Sequence, residues 1–147
     1  MRRRTVSTDE APGAVGPYSQ AVVSGGFVFT AGQIPLNPDT GELEQPDIET
    51  ATRRVLANLG AVLRAAGSSL DRAVKLTVFL TDLGLFSRMN EVYAEFFKND
   101  PPARSAVQVG ALPRGAMIEI EAVATLENSP RRRVEKRTDD RFDEPRA

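Results

Sequence analysis

The 147-residue chain contains neither cysteine nor histidine. Without Cys there is no disulfide, no thiol nucleophile and no thiolate metal site. Without His there is no Ser-His triad, no imidazole general base and no histidine-ligated zinc. Any chemistry must rest on carboxylates, arginine, hydroxyls, backbone groups and water. That set favours addition or loss of water at an already activated centre over attack on a stable amide or ester. It calls for no metal and no cofactor.

An excess of one charge and a long apolar run are missing as well. The 19 Lys and Arg against 20 Asp and Glu leave a formal net charge of −1, so no global basic field draws nucleic acid or an anionic membrane. No apolar run approaches the roughly 20 residues of a membrane span. Arg2, Arg3 and Arg4 are followed by polar residues rather than by the apolar segment of a signal peptide. The expected location is the cytoplasm. A hydrophobic content of 41% with 27% charged residues is ordinary for a globular protein, and the length suits one core rather than two.

Residues 1–10 are polar and charged and read as a flexible arm. Ala21–Val23 and Phe27–Thr30 are β-type runs around a Ser24-Gly25-Gly26 hairpin turn, and Asn37-Pro38-Asp39-Thr40-Gly41 is a second turn. Between Asp47 and Ala66, Ile48, Ala51, Val55, Leu59, Val62 and Leu63 recur at helical spacing, with Gly67 as the stop. Val74–Leu80 is a strand with Val74, Leu76, Val78 and Leu80 on one face. Helical spacing returns from Leu85 to Phe97 and ends at Pro101-Pro102. The order ββαβαββ predicts an α+β sandwich over residues 11–127, two helices on one face of a mostly antiparallel sheet. The uncovered face is expected to close by oligomerisation. From Asn128 the composition turns to Arg, Glu, Lys and Asp of mixed sign, including Arg131-Arg132-Arg133, and reads as a disordered tail whose acidic residues oppose nucleic-acid contact.

The most informative stretch runs from Pro101 to Ala124. Arg104 heads one apolar run, and Glu119 and Glu121 alternate with Ile118, Ile120 and Ala122 in another, so both carboxylates share a strand face. The turn residues Leu112-Pro113-Arg114-Gly115 between them let the runs fold back on one another. Two readings fit: an antiparallel edge pair with a solvated charged face, or an arginine fork and a carboxylate that hold a small acid and activate a water.

Three blocks resemble the Rid/YjgF family of reactive-intermediate deaminases. They are Ala11-Pro12 with Gly16-Pro17-Tyr18-Ser19-Gln20; Thr30-Ala31-Gly32-Gln33-Ile34-Pro35; and Pro102-Ala103-Arg104-Ser105 with Ile118-Glu119-Ile120-Glu121-Ala122. Asn90 before Tyr93, Phe96 and Phe97 is similar to the family's second helix. The resemblance implies a chorismate-mutase-like fold and a homotrimer with clefts between subunits. It also implies hydrolysis of the 2-imino acids released by pyridoxal-phosphate dehydratases, giving 2-keto acids and ammonia. It places the carboxylate-binding arginine on Arg104, the water-orienting glutamate on Glu119, the cleft tyrosine on Tyr18, the backbone-contributing glycine on Gly32 and the helix asparagine on Asn90. Ala31 stands where the family often has serine and Ala106 where it often has cysteine, two substrate-site departures that bear on substrate preference. Alternatives to the deaminase are a sensor that binds a 2-keto or amino acid on the same Arg104, and a ribonuclease, which the lack of His and of a basic stripe disfavours. In a wet cleft Arg104 is expected to lower the pKa of Glu119 against the opposing effects of burial and Glu121.

Overall fold

The fold is given by a computed structural model that describes residues 2–127. The strands are β1 (Arg4–Val6), β2 (Ala21–Ser24), β3 (Phe27–Thr30), β4 (Ala73–Leu80), β5 (Ala103–Gln108) and β6 (Ile118–Thr125), and the helices are α1 (Ile48–Ala65) and α2 (Phe86–Phe96). One six-stranded sheet runs β1-β2-β3-β6-β4-β5, antiparallel throughout except for the parallel β4–β5 pair. Both helices lie on one face, so the expected α+β sandwich is the architecture observed. No helix among the described residues is long and apolar enough to cross a membrane.

Local chemistry explains the elements. Gly25 and Gly26 have φ values of 61° and 82°, the left-handed pair that a tight hairpin turn requires. The Asp47 side chain caps α1 by accepting the Thr50 N–H at 2.7 Å. Val55, Leu59 and Leu63 of α1 then pack fully buried against Val28, Leu76, Val78, Ile118 and Ile120 of the sheet. Strand alternation sends Glu119 and Glu121 to the opposite, open face.

Three expectations need correction. Residues 1–10 are not a loose arm throughout: Arg4–Val6 pair with β2, Val6 is buried, and Arg4 Nη2 donates to the Ala66 carbonyl at 3.1 Å. Backbone pairing holds this strand, so its polar composition concealed it. β5 and β6 do not pair with each other, because β4 lies between them. Leu112-Pro113-Arg114-Gly115 therefore carries the chain across β4 instead of closing a hairpin. Val74 does not join the buried face of β4. A bulge between Ala73 and Lys75 leaves it without a partner and exposed. The charged tail expected after Asn128 lies outside the described residues.

Three amide side chains pin the loops around the open-face end of β6. Gln20, buried, accepts the Thr8 N–H at 2.6 Å and donates to the carbonyls of Thr8 and Pro12 at 3.0 and 2.8 Å. Asn58, fully buried in α1, donates to the carbonyls of Ile34 and Leu36 at 3.2 and 2.8 Å. Gln45 donates to the Gly115 carbonyl and accepts the Met117 N–H, both at 2.9 Å. Asn58→Leu keeps the branched shape but leaves the Leu36 carbonyl without its donor, while the Ile34 carbonyl retains the Leu36 N–H at 2.7 Å. Chemical denaturation should show a loss of about 1–3 kcal/mol, and an unchanged midpoint would mean that water replaces the amide at no cost.

Candidate functional site

β6 brings Glu119 to the open face beside the segment that continues β3. The backbones of Gln33 and Ile120 form a two-way bridge, Gln33 N–H to Ile120 O at 2.9 Å and Ile120 N–H to Gln33 O at 3.1 Å. This bridge lays Gly32 directly over the Glu119 side chain. A Cβ on Gly32 would overlap Glu119 Oε1 and stand 2.7 Å from Cδ and 2.9 Å from Cγ. A methyl group there would force the Glu119 side chain to move. Among the described residues the Gly32 N–H has no hydrogen-bond partner, which leaves a backbone donor beside the carboxylate.

Tyr18, Ala31, Ile34 and Pro113 complete a recess of about 280 Å³ around this pair. Tyr18 is half-exposed, and its hydroxyl accepts the Val15 N–H at 3.3 Å. The pKa of Glu119 is raised, first by burial and second by the neighbouring Glu121 carboxylate. Arg104 of the same chain does not lower it, because that arginine faces the other side of the sheet.

Arg104 is opposite Leu76 of β4, a core residue, so its side chain turns to the helix face. There α2 presents Phe86, Asn90 and Tyr93 at i, i+4 and i+7, one stripe of the helix. Arg104 Nη1 donates to Asn90 Oδ1 at 2.7 Å, and the guanidinium carbon lies 4.6 Å from the Tyr93 ring centroid and 5.3 Å from that of Phe86. Two aromatic faces and one amide thus fix the plane of the fork and leave its other donors available. Asn90, Tyr93, Phe97, Pro101, Pro102 and Arg104 border a recess of about 370 Å³. The Tyr93 hydroxyl is buried without a partner among the described residues, and burial raises its pKa while Arg104 acts in the opposite sense. Ala106, two residues beyond Arg104 on the same face, packs partly buried against the core.

The candidate residues therefore form two groups within one chain: Tyr18, Ala31, Gly32 and Glu119 at one recess, and Arg104 with Asn90 at another. Ala122 stands two strands across from Arg104, and Glu119 lies three residues further along β6. That is about 10 Å along the strand and about 10 Å across it, on opposite faces. Arg104 and Glu119 of a single chain cannot grip one small acid. Sequence reasoning missed Phe86 and Tyr93 as holders of Arg104, although their helical spacing with Asn90 was there to read. It also missed the three amide clamps, whose partners are backbone carbonyls and N–H groups that leave no sequence signature.

The sequence profile described as Endoribonuclease L-PSP, the Rid/YjgF family, matches residues 8–126. The chain belongs to this family. It is 47% identical over 122 residues to the human 2-iminobutanoate/2-iminopropanoate deaminase, covering 83% of this chain and 89% of that protein. It is 50% identical over 127 residues to a RutC family protein of Pyrococcus abyssi, covering 86% of this chain and 100% of that one. Among solved structures, E. coli TdcF with bound serine superposes with a TM-score of 0.80 at 46% identity, over 83% of this chain and 98% of that one. Family members carry names of several kinds, so membership establishes the fold and the Rid kinship rather than one reaction.

Two outcomes follow from the Glu119 recess. Gly32→Ala should destabilise the fold by about 1–3 kcal/mol through overpacking, and most of that loss should vanish in a Gly32→Ala/Glu119→Ala double variant. An additive cycle in urea would show that Glu119 is not what meets the new methyl. The second concerns pH. A carboxyl whose folded-state pKa lies above its unfolded value binds its proton more tightly when folded, so stability falls as pH rises through that range. Glu119→Gln should therefore melt above the wild type at pH 7, and the two should converge as the pH drops below the unfolded-state carboxyl pKa. Parallel melting curves across that range would show that burial does not penalise the charge.

Proposed function

We propose that this protein hydrolyses 2-imino acids to 2-keto acids and ammonia, in a homotrimer whose sites form between neighbouring copies. One observation carries the reading: a single chain holds a pre-oriented anion fork and a recessed carboxylate on opposite faces, so each is half of a site that a second copy completes. The open face favours such an assembly, since Phe27 and Phe29 project from β3 at 42% and 47% exposure with ring centroids 6.5 Å apart. The name carried by the human relative agrees with the chemistry.

Arg104, held by Asn90 and against the rings of Phe86 and Tyr93, binds the substrate carboxylate through parallel charge-assisted hydrogen bonds. The adjacent protonated imine carbon is electrophilic and needs no further activation. Glu119 of the neighbouring copy accepts a proton from water as the water oxygen bonds to that carbon, and the C=N π electrons become the lone pair of an amine. The Gly32 N–H orients the water or the nitrogen, and Tyr18 closes the recess. The protonated Glu119 returns its proton to nitrogen. The hydroxyl then gives its proton to the freed Glu119 carboxylate as its oxygen forms the C=O bond. The C–N bond breaks with its electron pair going to nitrogen and ammonia leaves, and Glu119 releases that proton to ammonia or solvent. A carboxyl whose pKa is raised by burial suits both halves of this cycle, because it is a stronger base toward water and holds the proton between the steps.

Arg104→Ala and Glu119→Gln should each abolish turnover of an imine generated in place by an amino-acid oxidase. Unfolding the two inactive variants together and refolding them as a mixture should restore roughly a quarter of wild-type activity, the share of head-to-tail contacts that pair an intact Arg104 with an intact Glu119. No recovery from a mixture that light scattering shows to be trimeric would rule out sites shared between copies.

A further inference from the structure

A second cavity continues from the Glu119 recess and has no part in the chemistry just described. It has a volume of about 450 Å³ and shares Tyr18, Gly32, Ile34 and Pro113 with the recess, so the two are contiguous. Its own walls add Pro12, Val15 and Leu36. They are held in place from outside: Gln20 fixes residues 8–12, and Asn58 fixes the carbonyls of Ile34 and Leu36. Part of the polar lining is engaged in the fold. The Gln20 amide is bonded to the N-terminal segment, Gln33 is bridged by its backbone to Ile120, and Arg114 Nη1 donates to the Gly41 carbonyl at 3.2 Å. No carboxylate among the described residues lines the cavity.

We propose that this cavity is the side-chain subsite of the imine hydrolase and that it selects 2-imino acids with branched or aromatic apolar side chains over those with methyl or ethyl groups. The inference rests on the proposed imine hydrolysis. An imine carbon placed against Glu119, with its carboxylate directed to Arg104 of a neighbouring copy, has one substituent left, and the contiguous opening lies on the Gly32–Ile34 side of the recess. An ethyl group displaces about two waters' worth of volume, at about 30 Å³ each, which leaves most of the cavity wet. An isobutyl or benzyl group reaches the Leu36 and Pro12 walls. The absence of a counter-charge disfavours a cationic side chain.

The test compares imines produced in place from alanine and leucine, with wild type, Arg104→Ala and Gly13→Phe. Gly13 lines the cavity, and a Cβ there meets nothing within 4 Å, so the phenyl ring can enter the space. Each added methylene buried is worth about fourfold, so kcat/KM should be at least tenfold higher for the leucine-derived imine. Gly13→Phe should bring that ratio down toward one. Calorimetry on the intact protein should show 4-methyl-2-oxopentanoate binding more tightly than pyruvate or 2-oxoglutarate. Arg104-dependent turnover of both imines at equal kcat/KM would overturn the subsite and leave the hydrolase reading standing. Tighter binding of 2-oxoglutarate would overturn the apolar assignment and point to Arg114 as an anion partner. If neither imine is turned over, the hydrolase reading fails, and the three keto-acid affinities alone decide the subsite.

Discussion

The placement of β6 between β3 and β4 is the constraint on which the rest depends. A strand paired on both edges and covered by helices on one face must alternate strictly, and β6 does so over its whole length, from Ile118 to Thr125. Ile118, Ile120, Ala122 and Ala124 go into the core, and Glu119 and Glu121 are left on the open face. A slip of one residue would bury two carboxylates under α1. The same strand fixes the segment after β3 through the Gln33–Ile120 bridge, and so sets the contact between Gly32 and Glu119.

Parity also separates the two charged groups that attract attention in the sequence. Read linearly, Arg104 and Glu119 look like neighbours across a turn. In the sheet, β4 intervenes and Arg104 takes the parity of Leu76, while Glu119 takes that of Phe79. Their electrostatics differ accordingly. Arg104 sits in an aromatic and amide cradle on α2, whereas Glu119 feels burial and a like charge. An acid partly out of water with only another acid nearby holds its proton at a higher pH than a solvated one does. Such a group serves a reaction that must both take and return a proton.

What could be read from the sequence follows the range of the interactions. The helices were legible because their apolar positions recur within a turn, and Asp47 and Gly67 mark the limits of α1. The Gly25-Gly26 turn was legible for the same local reason. The pairing of β6 was not, since nothing near residues 118–125 says that β3 and β4 will flank them. The β1 strand was hidden because backbone hydrogen bonds carry no residue signature, and the Val74 bulge because a single unpaired residue leaves the alternation on either side intact. Of the candidate site, the residue types were readable and so was each local face. The division into two recesses on opposite faces required the topology, and the resemblance to the Rid/YjgF family supplied the residues without showing that division.

The parallel β4–β5 pair and the late, central β6 have a consequence for the chain as it is made. The hairpin of β2 and β3 and the βαβ unit of β4, α2 and β5 are both complete before residue 118 is added, yet they touch in the sheet only through β6. Until that last strand emerges, each half exposes an edge and an apolar face, the features that invite mispairing. A ribosome that stalls, or a protease that cuts, a few residues short of Thr125 removes the β3–β6 ladder and leaves the two parts of the sheet held together by α1 and the Gln33–Ile120 bridge alone.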